Sequence, residues 1–141
     1  MPHSYTSEYP ANVPVEAGIK TFFEAFYQRS DIAGEHEKYA DFFTNSATVF
    51  VGSRNAVGRE EILQLREDMW KTVAIRLHTP LKIFPFGTGA DEIMLYGIVD
   101  YTFKDKREAS LEWAARAKLV KEGDIWKMDF YRVYMDTATA R

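Results

Sequence analysis

Few side chains in this sequence can move a proton or attack a carbon. There are three histidines, His3, His36 and His78, and no cysteine. Thiolate nucleophiles, disulfides and thiolate metal sites are therefore excluded. The histidines are scattered and lack the close pairing that offers two imidazoles to one metal, so the expected chemistry is acid–base work by single groups, independent of metal or cofactor. Asp100 is the first candidate. It sits between Val99 and Tyr101 in a stretch that is apolar on both parities, where partial burial would disfavour its charged form and suit it to proton transfer. The alternative is a structural aspartate paired with Arg116 or Lys118. His78 is the second candidate, because imidazole titrates near physiological pH. Strict alternation groups it with Arg76 and Lys82, opposite Leu77, Leu81 and Ile83, and so points it at solvent or an interface, unless Pro80 marks a bulge that re-aims it. Among the tyrosines, Tyr27, Tyr96, Tyr101, Tyr131 and Tyr134 are candidate phenolic donors to a substrate oxygen. Trp70, Phe22, Phe26, Phe42 and Trp113 are expected as apolar pocket wall or core.

The elements that would position these groups follow from periodicity. Residues 1–12 are polar and contain Pro2 and Pro10, and are read as a flexible arm. Val15, Ile19, Phe22, Phe23 and Phe26 fall at helical spacing, with Pro14 placed to open the helix and Gly34 beyond its end. Tyr39, Phe42 and Phe43 suggest a short second helix. Ala47–Val51 reads as a first strand, closed by Gly52-Ser53. Gly58-Arg59-Glu60-Glu61 introduces a third helix with Ile62, Leu65, Met69, Trp70 and Val73 on its apolar face. Beyond Ala74 the pattern is sheet: a broken strand over Ile75–Phe86, interrupted by Pro80 and Pro85, then long strands over Ile93–Lys104, Leu111–Lys121 and Ile125–Asp136. Turn-rich links between the long strands predict antiparallel pairing. Helices first and a curved meander afterwards is an α+β layout in one domain, residues 13–141.

The 141 residues carry a net charge of −3 with both signs interspersed, and 15% are aromatic. No basic stripe follows a phosphate backbone, so nucleic acid is not expected as a partner. The N-terminus lacks a basic start with an apolar run, and no apolar stretch is long enough to span a bilayer, which leads us to expect a cytoplasmic, non-membrane protein.

Three strings tie this order of elements to a known family: Tyr39-Ala40-Asp41-Phe42-Phe43-Thr44-Asn45-Ser46-Ala47-Thr48-Val49, Gly58-Arg59-Glu60-Glu61-Ile62, and Gly123-Asp124-Ile125-Trp126-Lys127-Met128 followed by Tyr131-Arg132-Val133-Tyr134-Met135-Asp136. Over residues 15–136 the chain resembles the nuclear-transport-factor-2-like (SnoaL-like) superfamily, with local similarity to its polyketide cyclase and limonene-epoxide hydrolase branch. The resemblance implies a cone-shaped, mostly antiparallel mixed sheet wrapped by about three helices, open at one end to a ligand. Many such proteins are homodimers. Fold does not fix the reaction. A ketosteroid-isomerase site would want an aspartate where Val51 stands. An epoxide-hydrolase site would match Asp100, but Ile98 replaces its arginine and Val133 its second aspartate. Tyr131 falls where that enzyme has a pocket-lining tryptophan, which makes it the foremost oxygen-holding candidate. A scytalone-dehydratase site would place His78 near one pocket histidine and lacks the second.

The resulting expectation is an isomerase, cyclase or dehydratase acting on a small hydrophobic oxygenated metabolite of polyketide or terpenoid type. In it Asp100 moves the proton, His78 assists, and Tyr131, Tyr27, Tyr96, Trp70, Phe26, Phe42 and Val133 bind the substrate. A non-catalytic binding protein with the same pocket, or a protein–protein adaptor, would carry the same sequence pattern. Apolar groups on both parities of the late strands also predict a homodimer pairing through the outer sheet face, with Glu112 and Arg116 at the interface.

Overall fold

The computed structural model describes residues 3–138; the first two residues of the expected arm and the last three of the expected domain lie outside that range. The fold is α+β. Helix α1 (Ala17–Ser30) buries Ile19, Phe22, Phe23, Phe26, Tyr27 and Ser30, the steps of three and four that align one helix face. Helix α2 (His36–Ala40) is shorter than its aromatic pattern suggests. Phe43 instead opens strand β1 (Phe43–Val51), where its backbone pairs with Met128. At Gly52 the φ angle is +59°, a turn conformation that glycine adopts without strain. The chain reverses there into β2 (Arg54–Val57), a strand whose four residues bury only Ala56 and so show no alternation to read. Helix α3 (Arg59–Trp70) buries Ile62, Leu65, Trp70 and also Arg66. Four long strands follow: β3 (Val73–Pro85), β4 (Glu92–Phe103), β5 (Glu108–Glu122) and β6 (Ile125–Tyr134).

The strands form one sheet in the order β2-β1-β6-β5-β4-β3. The pairs joined by short turns are antiparallel, and β1 lies parallel to β6. One sheet face packs on the helices through Val49, Ile83, Ile93, Leu95, Val99, Trp113, Ala115, Ala117, Leu119 and Met128. Bulges bend the sheet and reset its alternation. In β3 the register skips Ala74 and Leu81, and in β6 it skips Asp129. Met128 and Tyr131 consequently share the inner face although their parities differ.

The opposite face retains apolar groups, with Phe84, Met94 and Tyr134 exposed. Arg116 lies 4.4 Å over the Phe130 ring and Arg132 lies 4.7 Å over Phe50.

Residues 3–9 of the expected arm lie along the sheet edge and make contacts there. Glu8 bridges β3 on its free edge, donating its N–H to the Leu81 carbonyl (2.9 Å) and accepting from Ile83 N–H (3.0 Å). An edge strand exposes such unpaired groups, and a short extended segment satisfies them. Tyr5 and His3 reach further along the same edge, to Asp31 and to the His78 carbonyl.

Candidate functional site

The β3 bulge decides the site. Inside β3 the buried or inward positions run Val73, Arg76, His78, Pro80 and then Ile83, so the extra residue Leu81 lets His78 and Ile83 face the same way. The conditional reading of Pro80 as a bulge is the one the structure adopts. Gly97 makes the close approach possible: a Cβ there would lie 2.4 Å from the Thr79 carbonyl oxygen, 2.8 Å from Pro80 Cα and 2.9 Å from the Trp113 ring. Any side chain at 97 would collide with the strand that aims His78 inward.

His78 Nδ1 lies 2.6 Å from Asp31 Oδ1, and the His78 backbone N–H donates to Asp31 Oδ2 at 2.8 Å. Tyr5 donates its hydroxyl to the same Oδ2 at 2.6 Å. The Asp31 side chain is 6% exposed and that of His78 is 16% exposed. A carboxylate can only accept, so Nδ1 carries the proton and Nε2 keeps its lone pair. Burial pulls the His78 pKa below its usual value, against the opposing pull of Asp31, which keeps the ring neutral at physiological pH. Asp31 lies just past the end of α1 and carries no local sequence signal. Only the packing of α1 against β3 brings it to the histidine.

His78 lines a cavity between the helices and the inner sheet face that opens to solvent. The walls are mostly apolar and aromatic: Phe26, Tyr39, Val51, Met69, Val99, Tyr101, Trp113, Tyr131 and Val133. Trp113 packs beside both His78 and Tyr27, with ring centroids 5.7 and 5.1 Å away. Tyr131 shares a 2.9 Å hydrogen bond with the fully buried Tyr27. One hydroxyl donates to the other; if Tyr27 donates, the Tyr131 proton is free for the cavity. Burial raises both phenol pKa values, so both stay neutral donors and neither serves as a base near pH 7.

Of the residues read from the sequence, His78, Tyr131, Phe26 and Val133 come together around this cavity, and Tyr27 stands one bond behind. Asp100 does not. It is exposed on the outer sheet face opposite Leu77 and Ser110, because inward positions of β4 are Ile93, Leu95, Gly97 and Val99. It forms no ion pair with Arg116 or Lys118; Arg116 lies instead 3.8 Å from Glu92. Tyr96 also faces outward and stacks on Phe84. Trp70 packs in a satellite cluster with Val73 and Phe103. Phe42 lines a separate groove with Phe22, Gly18 and Trp126. Their parity or aromaticity was compatible with a pocket, but strand alternation turns Tyr96 outward and packing places Trp70 and Phe42 elsewhere.

Two arginines complete the cavity wall. Arg66 is fully buried and donates to the carbonyls of Ser30 (2.7 Å), Ile32 (2.5 Å), Gly34 (3.3 Å) and Arg29 (3.4 Å), closing the C-terminal end of α1. Burial lowers its pKa to about 10, which leaves it charged. Arg76 is 6% exposed. Its Nη2 donates to the Met69 carbonyl at 2.9 Å, and its guanidinium carbon lies 4.8 Å over the Trp70 ring and 5.4 Å over the Tyr101 ring. Among the described residues no three His, Asp or Glu side chains converge as metal ligands, and no helix is long and apolar enough to cross a membrane.

No protein-family model matches the sequence, and no curated protein matches it. Solved structures do match it in shape. ActVI-ORFA from Streptomyces coelicolor superposes with a TM-score of 0.71 over 86% of this chain and 97% of its own, at 19% identity. A hexachlorocyclohexane dehydrochlorinase (LinA type 2) gives 0.72 over 85% and 84%, at 14% identity. A protein provisionally named scytalone dehydratase, from Novosphingobium aromaticivorans, gives 0.72 over 84% and 82%, at 15% identity. With its bulged six-stranded sheet, its three helices and a cavity between them, this chain has the nuclear-transport-factor-2-like fold.

Proposed function

We propose that the protein is a cofactor-independent enzyme of the isomerase, cyclase or lyase type that takes a proton from a carbon atom of a small hydrophobic, oxygenated molecule. The observation that carries this reading is the buried His78–Asp31 pair opening onto an aromatic cavity. Neutral His78 accepts the proton at Nε2. Asp31 holds the reactive tautomer and stabilises the imidazolium once formed. As the carbon loses its proton, negative charge gathers on the attached carbonyl oxygen, where the Tyr131 hydroxyl can donate. Returning the proton to another carbon gives isomerisation; delivering it to a departing hydroxyl gives dehydration. Asp100 has no part in this scheme. The solved structures of similar shape include a hexachlorocyclohexane dehydrochlorinase, and loss of HCl also removes a proton from carbon.

The base can be tested without the natural substrate. The small aromatic 5-nitrobenzisoxazole loses its ring C–H proton to a base as its N–O bond breaks, releasing a coloured cyanophenolate. Saturable turnover by the wild type, abolished in His78→Asn with the fold intact, is the expected result. Turnover that is no better than free imidazole, or that survives in His78→Asn, would refute it.

The outer sheet face supports a homodimer in the same proposal. Phe84, Met94 and Tyr134 stand exposed there beside the Arg116–Phe130 and Arg132–Phe50 stacks. Arg116 and the exposed Glu112 lie on this face. Burying it against a second copy removes apolar surface from water through one self-complementary contact.

A further inference from the structure

Two guanidiniums line the cavity and, among the described residues, no carboxylate does. Arg76 is more than nine-tenths buried and lines the cavity. Its single hydrogen bond, to the Met69 carbonyl, occupies Nη2. Among the described residues neither Nε nor Nη1 has a partner, and no carboxylate forms an ion pair with Arg76. Trp70 and Tyr101 cover the guanidinium with ring faces at 4.8 and 5.4 Å. Ring faces attract the cation but accept none of its N–H groups as a carboxylate would, so Nε and Nη1 remain open to a ligand. Arg66 differs in that backbone carbonyls take up both of its terminal nitrogens, its buried Nε alone lacking an acceptor.

Around Arg76 the imbalance continues. Trp113 lines the same cavity, and its buried indole N–H has no acceptor. Among the described residues no carboxylate lines the cavity, and Asp31, behind His78, is occupied by Tyr5 and His78. A buried guanidinium with neither a counter-ion nor acceptors for most of its N–H groups is costly, and an anionic ligand would offset that cost. Planar N–H groups in a fork match a carboxylate edge-on.

We propose that the ligand of this cavity is an organic carboxylate, a small hydrophobic acid whose carboxylate pairs with Arg76 while its carbon skeleton lies against Trp113 and Tyr131. This rests on the reading of His78 as the base and adds the substrate class: Arg76 fixes one end of the acid and so selects which carbon faces the imidazole.

The test is binding, and it is independent of turnover. Benzoate and benzamide are nearly isosteric and differ in charge, and each can be titrated into the protein by NMR at neutral pH. Wild type should bind benzoate at least about tenfold more tightly than benzamide, as expected for a charge-assisted pair in a buried site. Arg76→Gln should erase that preference while leaving benzamide affinity within about threefold of wild type. Arg76→Lys, which keeps the charge, should preserve part of it and covers the case in which the glutamine variant does not fold. His78→Asn should keep the preference even though it loses proton abstraction, so failure of the base reading and failure of this one are separable. Equal affinities in wild type, a preference that persists in Arg76→Gln or vanishes in Arg76→Lys, or tighter binding of phenyl phosphate than of benzoate would overturn the assignment.

Discussion

Replacing Asp31 by asparagine isolates what the carboxylate does for His78. Asp31 accepts from the Tyr5 hydroxyl, the His78 backbone N–H and His78 Nδ1 at 2.6, 2.8 and 2.6 Å. An amide of the same shape can keep its oxygen on the first two groups and turn its NH2 toward Nδ1. The imidazole must then offer Nδ1 as acceptor and carry its proton on Nε2, the atom available to the cavity. The base is present but its lone pair is misplaced. In serine proteases the equivalent change lowers turnover by about 10⁴, and a fall of about 10³–10⁴ is expected here. Stability changes far less, because the contacts persist without charge assistance; three such bonds, each weakened by about 1 kcal/mol, set a ceiling of about 3 kcal/mol. Nitrogen NMR of the imidazole reads the tautomer, urea denaturation reads the stability, and the benzisoxazole reaction reads the base. Asp100→Asn, on the outer face, should change none of them. If Asp31→Asn shows the flipped tautomer and still turns over the probe within about threefold of wild type, the role given to Asp31 is wrong.

Gly97→Ala should destabilise the fold by about 1–3 kcal/mol or more, since its Cβ meets backbone atoms of Thr79 and Pro80 that cannot rotate away; an unchanged melting temperature would contradict the close β3–β4 approach. The His78 pKa is lowered in the folded state from its ordinary 6.5, so the unfolded chain binds more protons as pH falls through that value. Stability should therefore drop on acidification below about pH 6.5, and the drop should shrink in His78→Asn, as urea titrations at several pH values would show. Probe turnover should fall over a window displaced to lower pH, where the folded-state imidazole takes up its proton and loses its lone pair. Sedimentation equilibrium at micromolar protein should give twice the 16.3 kDa of one chain; a mass of one chain would remove the proposed homodimer.

Periodicity alone located α1, α3 and the four long strands, because each buries one continuous face and burial imposes its period on the sequence. The short elements were illegible for the complementary reason: β2 buries a single residue, and Phe43 left the helical pattern because a partner 85 residues away in sequence pairs with its backbone. Within the site, Tyr131, Tyr27, Phe26 and Val133 were legible as aromatic or apolar residues on long elements. His78 was legible as chemistry but not as direction, since its facing depends on one extra residue, Leu81, and on the missing side chain of Gly97 that makes room for it. Asp31 and Arg76 were not legible as site members. A charged residue past a helix end and another on a strand look like solvent-facing groups until the packing of α1 and α3 on β3 buries them against an imidazole and a cavity. Asp100 failed in the opposite sense: apolar neighbours on both sides suggested burial, but in a sheet whose outer face also carries apolar groups, hydrophobic neighbours do not tell the two faces apart. Sequence thus determines which elements form and which chemistry is affordable; the bulges, visible only in the assembled sheet, decide which side chains meet.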